Sequence, residues 1–372
     1  MDNLKQFTEF MSGINLTDNQ RKELITGHET LRKRLKGYDD LKDVIIETFL
    51  QGSYRRSTIV RPKGVENADV DIVVVTKLSE EEYSPKEALM LFESFLDKYY
   101  SEKWRLQNRS IGITLSYVDL DIVITSAPSE AEQGIYKTAA VTTNKNISES
   151  KDWILNEKWV DVLDSFSLSK TALLVEAQQQ AEWKTEPLRI PDVGLECWDD
   201  TNPLEQMKIT RKKNRNTNGN FVQIVKAVKW LRLFKYPDSP KPKGFPLERI
   251  IGEYCPDEVH SIPDGIEKTF SIFIDECSSY YNAGTKPVLP DYGVPHHDVL
   301  AKTTSEEFSA LYEQISDDLE IVKKARECTD QFKSCEFWRK LFGNKFPLPP
   351  NDTSKGYTEP DKPANPPSTR FA

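Results

Sequence analysis

The sequence predicts an α+β chain, a part in which helix and strand patterns alternate followed by a part that is mostly helical. Two apolar stretches carry the strand half of that reading. ADVDIVVVT (68–76) and ITLSYVDLDIVIT (113–125) are nearly continuous apolar runs, the pattern of strands buried on both faces. From residue ~165 onward, apolar positions recur at helical spacing instead. A chain of 372 residues is long enough for two domains with a sizeable core. The division expected is 1–165, 166–345, and a tail over 346–372.

Taken in order, residues 17–36 read as a helix with Thr17 as N-cap. Its apolar positions are few, which places it along the surface. The apolar-rich run VIIETFL (44–50) leads into Gln51-Gly52-Ser53. A helix near 85–100 follows the first strand, and the segment 126–160 is polar and irregular. Helices are expected at 165–181, 202–217, 218–236, 262–283, 303–328 and 335–342. The helix at 218–236, NGNFVQIVKAVKWLRLFKY, is apolar over most of its surface and therefore largely buried. Gln223, Lys226 and Lys229 recur on it every three residues and share a stripe. That stripe reads equally as a solvated basic edge or as an anion clamp facing the Gly-Ser loop. The tail from Phe346 is rich in Pro, Gly and polar residues, lacks periodicity, and is expected to be flexible.

Composition narrows the function. The net charge of −9 speaks against a generic nucleic-acid binder, which normally carries a basic excess, but leaves room for a local basic pocket. Cys197, Cys255, Cys277, Cys328 and Cys335 lie far apart without Cys-x-x-Cys spacing, as expected of free thiols in a reducing cytoplasm. The four histidines are scattered, apart from His296-His297, and make no zinc module. There is no signal peptide, no apolar run of membrane-spanning length and no internal repeat, so a cytoplasmic protein without membrane association is expected.

The chemistry points to three short pieces. A lone Gly-Ser is usually a turn, and a lone Asp-x-Asp is usually a solvated strand face or a cap. Here Gly52-Ser53 is followed by Asp69-Val70-Asp71 on a strand, and a later strand carries Asp119 and Asp121. Side chains two apart on a strand share a face, so Asp69 and Asp71 project together. Carboxylates beside so apolar a run are costly unless paired or metal-bound. Two on one face, with a third from a neighbouring strand, suit two Mg²⁺ ions that clamp an in-line phosphoryl displacement. The stretch GVPHHDVL places His297 and Asp298 either against a base or acceptor ribose, or in a helix-capping turn.

Gly-Ser, Asp-x-Asp and a later strand aspartate, in that order, are similar to the pattern of the DNA polymerase β-like nucleotidyltransferases. Further stretches resemble the bacterial cGAS/DncV-like nucleotidyltransferases (CD-NTases) of CBASS anti-phage systems, most of all their clade D. They are FLQGSYRRSTIVRP, DVDIVVVT, SYVDLDIVIT, W-x₃-NPL from Trp198, AVKW at 227–230, KGFPLE at 243–248 and WRKLFGNKFPLP at 338–349. The resemblance implies a mixed sheet plus a helical lobe, with the active site in the cleft between them. It implies that Gln51, Gly52 and Ser53 meet the donor triphosphate, and that Asp69, Asp71 and Asp121 hold Mg²⁺ (or Mn²⁺), with Asp119 a rival to Asp121. Lys229 matches the family's phosphate-binding lysine, and Lys226 is one turn away. Where the family often has a serine, this chain has Gly244 beside Lys243, which leaves Lys243 or backbone amides for the second phosphate contact. The implied activity is synthesis of a purine cyclic trinucleotide, such as cyclic AMP-AMP-GMP, from ATP and GTP. A product-sensing effector and an E1–E2-type enzyme that conjugates the chain through Ala372 are the implied partners. An RNA-adding enzyme, a small-molecule nucleotidyltransferase and a non-catalytic nucleotide sensor are the alternatives.

Overall fold

A five-stranded mixed sheet positions everything else. The computed structural model describes residues 1–64, 66–128, 187–238 and 241–350. The sheet contains β1 (Ile45–Gln51), β2 (Ala68–Thr76), β3 (Trp104–Leu106), β4 (Ile111–Thr114) and β5 (Val118–Thr125), in the order β1-β2-β5-β4-β3. Only β2 and β5 run parallel, with Asp69 beside Asp119 and Asp71 beside Asp121. The other pairs are antiparallel, and Gln51 at the end of β1 lies opposite Asp71. Ile72, Val73, Val74 and Val75 are fully buried, as the continuous apolar run requires of a central strand. The expected strand 113–125 is two strands. Leu115-Ser116-Tyr117 reverses the chain, with Leu115 N–H donating to Val118 O at 3.0 Å.

The helix expected at 17–36 is α2 (Asp18–Lys36), following α1 (Leu4–Ile14). Thr17 caps it in a reciprocal capping box with Gln20. It does not lie along the surface. Its few apolar residues fall on one stripe, and Leu24, Leu31 and Leu35 are fully buried against the sheet. Gly27 lets the helix approach closely, since a Cβ there would press on Val118 at 2.8 Å. Arg32 is tied down too, donating to Thr48 Oγ1 at 2.9 Å and to Thr48 O at 2.7 Å. A short α3 (Gly52–Arg55) follows β1. The single helix expected near 85–100 is broken at Leu91-Phe92 into α4 (Pro85–Met90) and α5 (Glu93–Tyr100).

The chain past residue 187 is not wholly helical. A two-stranded ribbon, β6 (Leu188–Asp192) and β7 (Cys197–Thr201), comes first. It continues the edge of the core: Ser126 N–H donates to Arg189 O at 2.9 Å, and Trp198 packs in the sheet's own apolar cluster. Then come α6 (Pro203–Asn216), α7 (Phe221–Lys235), α8 (Gly244–Tyr254), α9 (Ile262–Asn282), α10 (Ser305–Glu327) and α11 (Gln331–Phe342). All but α8 fall close to their expected spans. The central helix α7 is buried along most of its length, and α1 packs beside it, contributing Phe7, Phe10, Met11 and Ile14 to the helical core. Phe10 stacks on Phe342 at 4.5 Å between ring centroids. The N-terminal helix therefore belongs by packing to the helical lobe, although the sheet follows it in sequence. The helix expected at 165–181, the boundary at 165, most of the 126–160 segment and the tail from 351 with Ala372 lie outside the described residues.

The packing of α2 has a direct check. Leu31→Ala should destabilise the protein by about 2–5 kcal/mol in denaturant unfolding, the cost of a cavity in a closed core. A surface helix would give a change within about 0.5 kcal/mol.

Candidate active site

The site begins where β1 ends. Gly52 has φ +71°, and a Cβ at this position would overlap Asp71 Oδ2. The glycine therefore serves two needs, a left-handed turn and room for a carboxylate pressed against the backbone. The chain then makes the single turn α3, and the Ser53 carbonyl accepts from Thr58 N–H at 2.9 Å and Ile59 N–H at 3.2 Å. These bonds fold the loop back on itself and hold Ser53 at its mouth.

The carboxylates come from the parallel pair. Direct pairing in β2 and β5 puts Asp69, Asp71, Asp119 and Asp121 on one face. Asp69 opens to solvent, yet the protein crowds it enough that desolvation, with the Asp71 and Asp121 charges, pushes it up to about 7. Asp121 is pushed up to about 6 by burial and by Asp71, against a 3.0 Å hydrogen bond from Gln107 Nε2. Burial also raises Asp71, which Arg56 opposes. Asp119 accepts from Asn67 Nδ2 at 3.1 Å, and the same amide holds Leu115 O at 2.7 Å. Asp119 is thus engaged with the loop that precedes β2, whereas Asp121 stands level with Asp71.

Among the described residues, no group of three ligand side chains converges on a single point. The donor set nevertheless suits a divalent cation. Hard carboxylate oxygens from adjacent strands raise one another's pKa, and a hard dication on this face would offset that repulsion.

Beside the carboxylates lies a cavity of about 240 Å³ lined by Ser53, Asp69, Lys229, Arg232, Lys243 and Gly244, among others. It brings together Ser53 from the glycine loop, Asp69 from the strand and two of the lysines expected from sequence. Lys226 is not brought there. Its Nζ donates to Asn15 Oδ1 at 3.0 Å instead, and burial lowers it to about 8. The reason is helical geometry: a three-residue step falls about 60° short of a full turn, so the stripe slants around the axis. Following the slant the other way reaches Arg232, which does line the cavity.

Lys229 itself is largely shielded, its side chain 11% exposed. It donates to Thr58 O at 3.2 Å and to Glu248 Oε1. Glu248 also receives Arg56 Nε at 3.0 Å and Thr58 Oγ1 at 2.9 Å. Burial alone would raise Glu248, but Arg56 and Lys229 hold it down at about 2. Burial lowers Lys229, and Glu248 works against that.

Residues 1–146 match the family described as the Second Messenger Oligonucleotide or Dinucleotide Synthetase domain. The chain is 44% identical to the cyclic AMP-AMP-GMP synthase of Enterobacter hormaechei over 99% of both chains. The same identity and coverage hold for the probable cyclic AMP-AMP-GMP nucleotide synthase of Salmonella paratyphi B. This chain belongs to the cGAS/DncV-like nucleotidyltransferases. The fold agrees with solved structures of such enzymes. CdnC of E. coli MS115-1 with ATP matches with a TM-score of 0.62 at 17% identity, covering 93% of this chain and 99% of that one. The Vibrio cholerae DncV cyclic AMP-GMP synthase matches with a TM-score of 0.62 at 12% identity, covering 93% and 97%.

In this cGAS/DncV-like nucleotidyltransferase, several residues at the site escaped sequence reading. Arg232 carried a signal, as the next position on the Gln223–Lys229 stripe. Glu248 ends the stretch KGFPLE, of which only the first two residues were read. Arg56, Thr58 and Gln107 had no local signal, because their roles exist only through contacts distant in sequence. The GVPHHDVL stretch resolves toward structure. Asp298 accepts from Leu289 N–H and Leu300 N–H, both at 2.9 Å, and so builds a turn. His297 meets Asp199 at 3.0 Å and braces β7.

Two measurements follow. Gly52→Ala should abolish turnover in a soluble protein, because the new methyl displaces Asp71; unchanged activity would contradict the contact. The second concerns pH. Asp69 is raised on folding, so the native state holds its proton more tightly, and this group's contribution to stability falls as pH rises from 3.8 to about 7. In chelator, Asp69→Asn should therefore raise the thermal midpoint at pH 8 and leave it nearly unchanged at pH 4.

Proposed function

We propose that this chain condenses ATP and GTP into a purine cyclic trinucleotide of the cyclic AMP-AMP-GMP kind, a second messenger of anti-phage defence. The single observation that carries the reading is the parallel register of β2 and β5. It sets Asp71 level with Asp121 on one face, beside a cavity that Ser53, Lys229 and Lys243 share with Asp69. The high identity to cyclic AMP-AMP-GMP synthases along the whole chain supports the choice of product.

Asp69, Asp71 and Asp121 are the residues that would hold the divalent cation, Mg²⁺ or Mn²⁺. When bound, such an ion supplies positive charge to the triphosphate and acidifies the attacking ribose hydroxyl. The protein's own groups do the rest. Lys229, Lys243 and Arg232 present three cations to the β- and γ-phosphates, and the Ser53 hydroxyl adds a neutral donor. Gln51 and Gly52 act through the backbone, since they carry the turn that sets Ser53 and admits Asp71. Asp121, with one oxygen held by Gln107, is the acceptor for the hydroxyl proton. In-line attack on the α-phosphorus then expels pyrophosphate. Two such couplings build a linear trimer, and a third joins its ends.

The alternatives fit less well. An RNA-adding enzyme needs an extended basic track, against a net charge of −9. A nucleotide sensor has no use for three mutually repelling carboxylates. For residues 350–372, an E1–E2-type conjugating partner acting at Ala372 remains a proposal that rests on family resemblance. Deleting the last few residues should leave synthesis intact and abolish covalent adducts. No described helix is long and apolar enough to cross a membrane.

The decisive experiment supplies all four nucleoside triphosphates with Mg²⁺ or Mn²⁺ and reads the phosphatase-resistant product by mass spectrometry. A cyclic product of two AMP and one GMP is expected, dependent on both ATP and GTP and lost in Asp71→Asn. Linear extension of an added RNA, or nucleotidylation of a small acceptor, would overturn the reading.

A further inference from the structure

The buried carboxylate of Glu248 stands outside the set of groups that would touch a nucleotide, yet it is joined to them. It lies one turn into α8, with a side chain only 6% exposed. Three donors reach it from two separate parts of the chain: Arg56 and Thr58 from the loop after Ser53, and Lys229 from α7. The bonds close a ring. Ser53 O takes the Thr58 and Ile59 N–H groups, Thr58 Oγ1 bonds Glu248, Glu248 bonds Lys229, and Lys229 returns to Thr58 O. The Arg56 guanidinium also lies over the Phe245 ring of α8, 5.0 Å from its centroid. Lys243 and Gly244, at the start of this helix, line the same cavity as Ser53 and Lys229. One helix thus carries both a wall of the cavity and the carboxylate that spans it.

We propose that Glu248 is a positioning residue of the donor-triphosphate subsite, fixing Ser53 and Lys229 at a set separation across the cleft. The proposal rests on the reading of that cavity as the triphosphate subsite. Arg56 and Lys229 share the one carboxylate. Without Glu248 the two cations would repel with no carboxylate between them, and the hydrogen bonds from Arg56 and Thr58 that tie the Ser53 loop to α8 would be lost.

The test is a double-mutant cycle on the full chain with the synthesis assay. Glu248→Gln keeps the shape and removes the charge. It should raise the apparent KM for ATP by about ten- to hundredfold, the worth of one charge-assisted hydrogen bond, with a much smaller change in kcat. In a Lys229→Ala background the same substitution should add little, since the two act through one contact. Thr58→Val, which removes a single hydroxyl, should shift KM in the same direction and decides the matter if Glu248→Gln does not fold. A raised KM in Lys229→Ala with wild-type KM in a folded Glu248→Gln and in Thr58→Val overturns this proposal alone, as does full additivity of the two substitutions. A wild-type protein that makes no nucleotide product overturns the functional reading beneath it.

Discussion

A slip of one residue between β2 and β5 would separate Asp71 from Asp121 and leave no two strands presenting carboxylates to the same point. Their parallel register is therefore the constraint on which the site depends. It is held by apolar side chains on both faces. Val70, Ile72 and Val74 interlock with Leu120, Ile122 and Ile124 in the cluster that α2 closes. On the other face, Val73 and Val75 meet Phe49 of β1 and Leu204 and Met207 of α6. Asp69 and Asp71 share that second face, four and two residues before Val73. The cover provided by α6 gives way to the cleft at this point, so the same alternation that buries valine delivers carboxylate to the nucleotide side.

Parallel neighbours need a long connection, and here it does chemical work as well. Between β2 and β5 the chain makes α4, α5, β3 and β4. The β3–β4 turn carries Gln107, which Ser110 Oγ holds at 2.9 Å from its carbonyl while its amide bonds Asp121. Gly112 opposes Asp121 across the ladder, and a Cβ there would overlap that Gln107 amide. A strand register, a glycine and a turn residue thus fix the direction of one carboxylate oxygen. On the other side of the site, Glu248 with Arg56 and Lys229 plays the matching part. A buried cluster of three charges is weak evidence for stability. Its better account is geometric, since it ties the loop after β1 to two helices of the other lobe.

The order of chemical pieces was legible because each is local. Gly52-Ser53, Asp69-x-Asp71 and a later strand aspartate can be read from spacing alone, and the central strand announces itself by composition. The packing of α2 was misread because counting apolar residues ignores their phase; four or five suffice when they share a stripe. The ribbon at 188–201 was hidden by its own residues: LRIPD and CWDDT hold a proline and three acids, and their strand character comes from pairing with each other and from the edge of the core. The helix α8 was obscured by Pro246, which is tolerated in a first turn but reads as a breaker. Lys226 and Lys229 looked alike on the helix because periodicity gives a stripe but not which wall of the fold each end of it meets. Glu248 could not be assigned at all, since a glutamate in a helix is ordinary until three partners from elsewhere converge on it.

Charge supports the proposal that this protein takes a triphosphate and not a nucleic acid. The net −9 acts over the whole surface and opposes any extended polyanion that must lie along it. At the cavity the balance shifts, because Lys229, Arg232 and Lys243 line it against two acids, Asp69 and Glu66. Screening at physiological ionic strength limits the reach of surface charge to about 8 Å. A triphosphate in the cavity, as proposed, would be governed by those three cations, while an RNA strand would meet the acidic exterior along the rest of its length. The carboxylates at the cavity's edge sharpen the distinction, since they repel phosphate until a divalent cation neutralises them. On the proposed function, substrate choice at this level follows from where the cations gather, which the net charge of the whole chain does not report.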